Sequence, residues 1–368
     1  MRRSLLGVLL LAPLLAGCEA VVLSPSGFIA AQQRDLLLFS TLLMLIIVIP
    51  VMGLIIFFAW RYSEKRRARY EPNWSHSASL ELVIWAAPLL IIICLGAITW
   101  TGTHLLDPFR PLTQVGERRP VPEHVEPLEI QAVAMNWKWL FIYPEQGFAT
   151  VNEVAVPVDR PVRFSLTSQS VMNAFYVPAL AGMIYAMPGM RSQINAVMNV
   201  PGDYEGFSAN YSGAGFSRMR FQFQGLEGSN FDRWVADRRG QGGARLDRAT
   251  YLDLAQPSEN DAPRHFGTID ADIFDRILNR CVEEGRLCIN QMMALDAEGG
   301  TGRAGTLNLI PAPTRQASAI GTKPFYVSEY CTPAESIADY GPDTVVLLET
   351  LPQPPAAAGA GVAPAETL

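Results

Sequence analysis

Long apolar runs without charged residues are confined to the first third of the chain. One runs from Leu36 to Trp60 and the other from Leu82 to Thr103. An α-helix rises about 1.5 Å per residue, so either run is long enough to cross the hydrocarbon core of a bilayer, roughly 30 Å thick. We therefore predict two transmembrane helices, at residues 36–60 and 80–104.

A shorter apolar stretch stands at the N-terminus. Two arginines precede Leu5–Leu15, which is too short to span a bilayer and is typical of a secretory signal. The sequence Leu-Ala-Gly that follows, ending in Cys18, resembles the lipobox of bacterial lipoproteins. The resemblance implies that residues 1–17 are removed, that Cys18 carries lipid and that 18–35 is periplasmic. An ordinary signal peptide with an incidental cysteine is the alternative.

The connection between the two apolar runs, residues 61–79, is basic. Its lysines and arginines are Arg61, Lys65, Arg66, Arg67 and Arg69. Cytoplasmic loops of membrane proteins are enriched in these residues. We therefore expect this loop in the cytoplasm, with the N-terminus and the large C-terminal part on the outer face, where a lipid on Cys18 would also lie.

An acidic residue, Glu81, stands at the cytoplasmic end of the second predicted helix. A carboxylate in the first turn of a helix is stabilised by the helix dipole, by about 0.3–1 kcal/mol. An ionisable residue at a membrane boundary is also a candidate for proton uptake. The sequence leaves both interpretations open.

Beyond the helices the pattern changes to short β-type segments. Residues 105–126 are proline-rich and predict an extended linker. From 127 to 226 the apolar residues tend to alternate, most clearly in Val151–Val158 and Pro161–Leu166, with turn signals between the segments. About a hundred residues of this kind predict an antiparallel β-sandwich.

The C-terminal third differs again in pattern. An extension at 227–351 contains amphipathic helix fragments at Phe231–Val235 and Ile273–Leu278, and an Ala/Pro-rich tail at 352–368 is predicted to be disordered. The extension holds Cys281, Cys288 and Cys331. An oxidising compartment favours one disulfide among the three, and the spacing leaves the pair open.

Charge and cysteine spacing exclude two classes of function. The net charge of -6 argues against nucleic acid as a partner, because phosphates require a basic face. The cysteines lack the paired spacing of zinc sites.

Three sequence segments resemble subunit II of the haem-copper respiratory oxidases. They are Asn136–Pro144, Ser170–Met190 and Tyr204–Met219, and the extension resembles that of the bo-type ubiquinol oxidases. The resemblance implies two transmembrane α-helices, an all-β cupredoxin-like Greek-key sandwich and a mixed or helical extension. Trp137 and Trp139 resemble the electron-accepting aromatic region of the copper-bearing relatives, but we interpret them as packing residues.

The same segments depart from the dinuclear copper site of that family. Asn173 stands at the first histidine position, Ser208 and Ser212 at the two cysteines, Phe216 at the second histidine and Asn210 at the glutamate, while Met219 alone retains a ligand type. Residues 127–226 contain neither cysteine nor histidine. Copper electron-transfer sites are built on thiolate and imidazole. We therefore predict no metal in this chain, and we interpret Met219 as a core residue.

The resemblance then implies a copper-free subunit II of a proton-pumping quinol oxidase in the bacterial inner membrane. Such a chain has no catalytic centre of its own; haems and copper belong to the catalytic subunit I, which it anchors and caps beside small membrane subunits and lipid. Ubiquinol reduces the complex, and Glu81 matches the proton-uptake position of the family.

Two alternatives belong to other functional classes. One is the copper-bearing subunit II of a cytochrome c oxidase, and the other is a membrane-anchored assembly lipoprotein that handles copper. The first needs thiolate and imidazole ligands, and the second needs exposed thiol or methionine-rich ligands. The sandwich sequence contains no cysteine and no histidine, which argues against both.

Overall fold

The computed structural model describes residues 20–63, 66, 73–241, 244–284 and 286–297. The signal sequence, Cys18, Cys331 and the Ala/Pro-rich tail lie outside the described residues.

Two long helices open the described chain. Helix α1 spans Phe28–Arg61 and α2 spans Ala78–Leu105, and both are long and apolar enough to cross a membrane. Helix α1 begins before its uncharged run. Its first turns contain Arg34 and Asp35, whose side chains form an ion pair at 2.7 Å. The absence of charge predicted where the apolar segment begins, but it did not predict where the helix begins.

Fifteen strands follow in the described part of the chain. In chain order they are β1 (Gln114–Gly116), β2 (Arg119–Pro120), β3 (Leu128–Ala134), β4 (Trp139–Tyr143), β5 (Phe148–Val151), β6 (Glu153–Pro157), β7 (Val162–Ser168), β8 (Asn173–Tyr176), β9 (Ile184–Ala186), β10 (Ser192–Ala196), β11 (Gly202–Ser208), β12 (Arg220–Leu226), β13 (Arg245–Leu246), β14 (Arg264–Phe266) and β15 (Thr268–Ile269). The short β1–β2 hairpin lies inside the predicted linker.

Two sheets form the predicted sandwich. The first has the order β10-β7-β3-β4-β5-β14 and the second β6-β12-β11-β8-β9. The expectation of purely antiparallel sheets is wrong, because β3 runs parallel to β7 and β6 parallel to β12. Alternation of apolar residues indicates which face of the sheet a side chain occupies. It does not indicate whether the neighbouring strand runs parallel or antiparallel.

The segment Val151–Val158, which alternates like one strand, is divided between the two sheets. Asn152 has a φ of 55°, so β5 ends in the first sheet and β6 begins in the second. Asparagine tolerates this left-handed conformation better than most residues. Its side-chain oxygen accepts a hydrogen bond from the backbone N–H of Trp139 at 2.9 Å, which fixes the corner.

Aromatic rings fill the space between the sheets. Trp139 is fully buried, and its ring packs edge-on against Phe175 and Phe221 at centroid distances of 5.5 and 5.7 Å. Such pairs contribute beyond their buried area. The packing role expected for Trp139 agrees with this position.

The start of α1 is fastened to the sandwich. The backbone N–H groups of Ser26 and Gly27 donate to the carbonyl of Ala179 at 3.0 and 2.8 Å. A Cβ on Gly27 would lie 2.4 Å from the carbonyl oxygen of Leu180, so only glycine permits this approach. Helix α1 therefore begins at a fixed point on the sandwich.

The first part of the extension packs on the sandwich in two places. Phe231 and Trp234 join the core between the sheets, and later residues pack on the outer face of the first sheet. The helices of this part are α3 (Gly228–Gln241), α4 (Arg248–Leu254) and α5 (Ile273–Leu278), so both predicted helix fragments are helical. Apolar side chains of α4 and α5, such as Leu254 and Phe274, join a second buried cluster with Leu140 and Ile142 of β4. The chain divides into compact units after Val282, and α6 (Ile289–Ala297) belongs to the second unit.

A buried ion pair holds the extension in place. The ammonium of Lys138, only 2% exposed, lies 3.1 Å from a carboxylate oxygen of Asp261 and donates to the carbonyl of Gln256 at 2.9 Å. Burial alone would raise the pKa of Asp261. Hydrogen bonds from Ser258 and Lys138, with the charges of Lys138 and Arg264, outweigh burial and hold that pKa below its usual range.

We predict that Asp261→Asn lowers the free energy of unfolding by about 3–5 kcal/mol, because it leaves the Lys138 ammonium buried without a counter-charge. Arg264→Gln, which removes the exposed partner of the same carboxylate, should cost no more than about 1 kcal/mol. Since the folded-state pKa of Asp261 is depressed, its contribution is present above the ordinary carboxyl pKa and is lost as pH falls through the lower folded value. Thermal unfolding at several pH values measures this, and equal effects of the two variants would contradict it.

Candidate functional site

Six positions correspond, by the resemblance, to the copper ligands of the family. They lie on two neighbouring loops and on the strands next to them. Asn173 begins β8, Ser208 ends β11, Asn210 and Ser212 lie in the following loop, Phe216 begins a 3-10 turn and Met219 directly precedes β12. Strands β8 and β11 pair with each other, with Ser208 opposite Phe175. The fold therefore brings the segment that begins β8 and the loop that follows β11 together at one end of these two strands.

A hydrogen bond between side chains joins the two loops. The hydroxyl of Ser208 lies 3.1 Å from the side-chain oxygen of Asn173, to which it donates. The amide nitrogen of Asn173 donates to the carbonyl of Val171 at 3.0 Å. Ser208 and Asn173 are only 3% and 1% exposed, and buried polar groups are stable when they are paired in this way.

The loop after β11 is fixed by further hydrogen bonds to its surroundings. The side-chain nitrogen of Asn210 donates to the carbonyl of Met172 at 3.0 Å, and the indole N–H of Trp137 donates to the carbonyl of Ser212 at 3.0 Å. Within the described part of the chain the hydroxyl of Ser212 is buried without a hydrogen-bond partner. The loop is thus held mainly by amide and indole groups.

The remaining two positions are apolar. Met219 is fully buried in the core between the sheets, and its carbonyl accepts a hydrogen bond from the backbone N–H of Ser208 at 3.1 Å. Phe216 is half-buried and packs edge-on against Tyr211, with ring centroids 5.6 Å apart.

These donors do not fit a dinuclear copper site. Such a site requires thiolate and imidazole groups, and the positions instead offer amides, hydroxyls, a phenyl ring and one thioether. The Asn173 amide and the Ser208 hydroxyl already satisfy each other. Among the described residues no group of three or more His, Cys, Asp or Glu could hold a metal ion.

Glu81 lies far along the chain from these loops, in the first turn of α2. Its side chain is exposed, and its carboxylate makes no hydrogen bond or ion pair with any described residue. The backbone N–H of Glu81 donates to the carbonyl of Ser77, the residue that precedes the helix, at 2.9 Å.

Two cysteines of the extension lie within the described residues. Cys281 and Cys288 are both disulfide-bonded, and Cys281 is buried. Cys94 in α2 is a free thiol.

A buried charged cluster, which the sequence analysis did not predict, includes His265. The carboxylate of Glu153, 5% exposed, pairs with the guanidinium of Arg238 at 2.8 Å and lies 3.6 Å from the imidazole of His265. Burial, followed by the charge of Arg238, lowers the pKa of His265 against the opposing effect of Glu153. The three residues lie on β6, α3 and β14, so no local pattern could have revealed them.

Comparison with known proteins places the chain in a family. The family described as the periplasmic domain of cytochrome c oxidase subunit II matches residues 146–225, and the COX aromatic rich motif matches residues 241–285.

Three relatives match over most of their length. Cytochrome bo(3) ubiquinol oxidase subunit 2 of Pseudomonas aeruginosa is 45% identical over 273 residues, covering 74% of this chain and 80% of the relative. Ubiquinol oxidase subunit 2 of Acetobacter aceti is 45% identical over 274 residues, covering 74% and 86%. Quinol oxidase subunit 2 of Bacillus cereus is 37% identical over 247 residues, covering 66% and 81%.

These matches confirm the resemblance that the sequence segments predicted. The two apolar helices and the periplasmic oxidase domain fit a protein of the inner membrane. The relatives are subunits of an oxidoreductase complex that contains further chains. The chain therefore belongs to the quinol oxidase subunit 2 family of the haem-copper oxidases.

Proposed function

We propose that this chain is a copper-free second subunit of a ubiquinol oxidase, which supports the catalytic subunit and carries no redox centre. The observation that carries the proposal is the direct hydrogen bond between Ser208 and Asn173, at positions where copper would need a thiolate and an imidazole. A sandwich with these neutral groups has no means of holding the metal that would receive electrons from cytochrome c.

Electrons then enter the complex in another subunit. Relatives at 45% identity are named ubiquinol oxidase subunit 2, which supports ubiquinol as the donor and oxygen as the acceptor. Haems and copper belong to subunit I, where oxygen is reduced to water and proton pumping is driven.

The membrane arrangement follows from charge. Helices α1 and α2 cross the inner membrane, the loop with Arg61 and Arg66 faces the cytoplasm, and the sandwich lies in the periplasm. Cys18 carries lipid in the outer leaflet. The lipobox-like residues before Cys18 support this last assignment.

The structural task is to pack against subunit I and cap its periplasmic face. Apolar side chains of the two helices are exposed along most of their length and suit burial against other membrane subunits. Three apolar residues are exposed beside the loops that correspond to the copper-binding loops of the family. They are Val171, Met172 and Tyr211, with exposed fractions of 46%, 39% and 75%. Exposed apolar residues grouped in this way indicate a contact surface, which we assign to subunit I.

We expect ubiquinol, and not reduced cytochrome c, to drive oxygen uptake by the purified complex. Electron paramagnetic resonance should show no mixed-valence signal from a dinuclear copper pair, because the donors at Ser208 and Ser212 cannot form it. Such a signal, traced to this chain, would refute the proposal and would favour a cytochrome c oxidase subunit.

Ser208→Ala separates a structural role from a redox role. Removing the hydroxyl leaves the side-chain oxygen of Asn173 without this donor, so we expect the free energy of unfolding to fall by about 1–3 kcal/mol. The ubiquinol oxidase rate of the assembled complex should stay unchanged. Ser217→Ala, at an exposed position in the same region, is the matched control and should alter neither quantity. A large loss of turnover in Ser208→Ala with normal assembly would contradict the structural role.

Glu81→Gln tests proton uptake. If the carboxylate collects protons, the variant should slow oxygen reduction several-fold while the complex assembles normally, and Glu81→Asp should restore much of the rate. Glu145→Gln, an exposed periplasmic carboxylate, is the control. The measurement is the rate of oxygen uptake across a range of pH. Unchanged turnover in Glu81→Gln would mean that the carboxylate only stabilises the end of the helix.

A further inference from the structure

Two adjoining cavities lie where the membrane helices meet the periplasmic part of the chain. Their volumes are about 380 and 490 Å³, and they share Phe28 and Gln32 of α1 and Gln114 of β1. We refer to the two together as the interfacial cleft. None of the residues that carry the family's copper site lies in it, and the function proposed above makes no use of it.

The cleft lies at the level of the lipid headgroups. Leu36, the first residue of one uncharged run, contacts Gly102 near the end of the other: a Cβ on Gly102 would be 3.1 Å from the side chain of Leu36. The start of the first run and the end of the second therefore lie at the same level along the helix pair. The lining residues stand just outside them, Gln32 before the first run and Leu105 after the second. Headgroups occupy a layer of several ångströms beyond the hydrocarbon core.

Charged groups of both signs line the cleft. They are Arg34, Arg110, Arg118, Asp35, Asp107 and Glu117. Among the described residues neither Glu117 nor Arg118 forms an ion pair, and both side chains are exposed. Arg34 and Asp35 pair with each other at 2.7 Å, which leaves the remaining faces of both groups available. A ligand that matches this lining must itself carry a cation and an anion.

We propose that the interfacial cleft binds the headgroup of an ethanolamine phospholipid. The guanidinium groups of Arg118 and Arg110 hold the phosphate, for which their planar donor geometry is suited. The carboxylates of Glu117 and Asp107 accept hydrogen bonds from the primary ammonium. The acyl chains run down past the exposed apolar side chains of α1, such as Leu37 and Leu38.

The lining selects between zwitterionic headgroups. A primary ammonium donates three hydrogen bonds, which carboxylates accept, whereas a quaternary choline is bound by a cage of aromatic faces. Phe28 is the aromatic residue that lines the cleft in the described part of the chain. An anionic glycerol headgroup would bring no cation to Glu117 and Asp107. The ethanolamine headgroup therefore fits best.

The test measures lipid retained by the intact complex. After purification in mild detergent the complex is exchanged into phosphatidylethanolamine, phosphatidylglycerol or phosphatidylcholine, and native mass spectrometry counts the lipids bound. We expect the wild type to keep phosphatidylethanolamine preferentially. The double variant Glu117→Gln/Arg118→Gln should reduce its occupancy roughly tenfold or more, because charge-assisted hydrogen bonds are lost.

Arg119→Gln is the matched control. Arg119 neighbours Arg118 in the chain but pairs with Asp159 at 3.1 Å and does not line the cleft, so this variant should retain lipid like the wild type. Equal retention by the wild type and the double variant would overturn the site, as would equal retention of the three lipids by the wild type. A segment of a partner subunit that fills the cleft would give the first of these results.

The proposal requires that α1 and α2 cross the membrane and is independent of the electron donor. Ubiquinol oxidation by the same preparations is measured separately. A failed lipid test with normal ubiquinol turnover would therefore count against the cleft alone.

Discussion

The hydrogen bond from the Ser208 hydroxyl to the Asn173 side chain is the interaction on which the proposed function of this chain rests. It joins β8 and β11 where the copper-bearing relatives use a metal, and both groups are almost completely buried. A neutral pair needs no metal charge to stabilise it, since each partner satisfies the other. Asn210 and Trp137 complete the network by fixing the loop to its surroundings. These hydrogen bonds hold the two loops in place without a metal ion.

Buried charge explains why the extension is an integral part of the domain up to Val282. Lys138 and Glu153 both lie on the sandwich, and burying either alone would carry a large desolvation penalty. Their partners, Asp261 and Arg238, come from the extension. The sandwich can therefore hold these two charges only when the extension is docked. The COX aromatic rich motif, matched at residues 241–285, covers most of the segment that docks there.

Sequence reasoning succeeded where a property is local and failed where it depends on distant partners. The uncharged runs predicted both helices, and the three sequence segments predicted the family to which the chain belongs. The change of sheet at Asn152 was missed because alternation continues through the corner. The parallel pairing of β3 with β7 was missed because the sequence of a strand does not show which strand will pair with it. His265 and Glu153 meet only after three separate elements have folded together.

The junction with the membrane depends on two close approaches that glycine permits. Gly27 lets the chain lie against the carbonyl of Leu180 before α1 begins, and Gly102 lets α2 lie against Leu36. The first contact fixes α1 to the sandwich, and the second fixes the relative height of the two helices. Helix α1 begins well before its uncharged run, so in the proposed membrane arrangement its first turns stand above the bilayer core and do not pack against lipid tails. Space therefore remains between these turns and the β1–β2 hairpin, at a level where charged headgroups are the nearest molecules available to fill it.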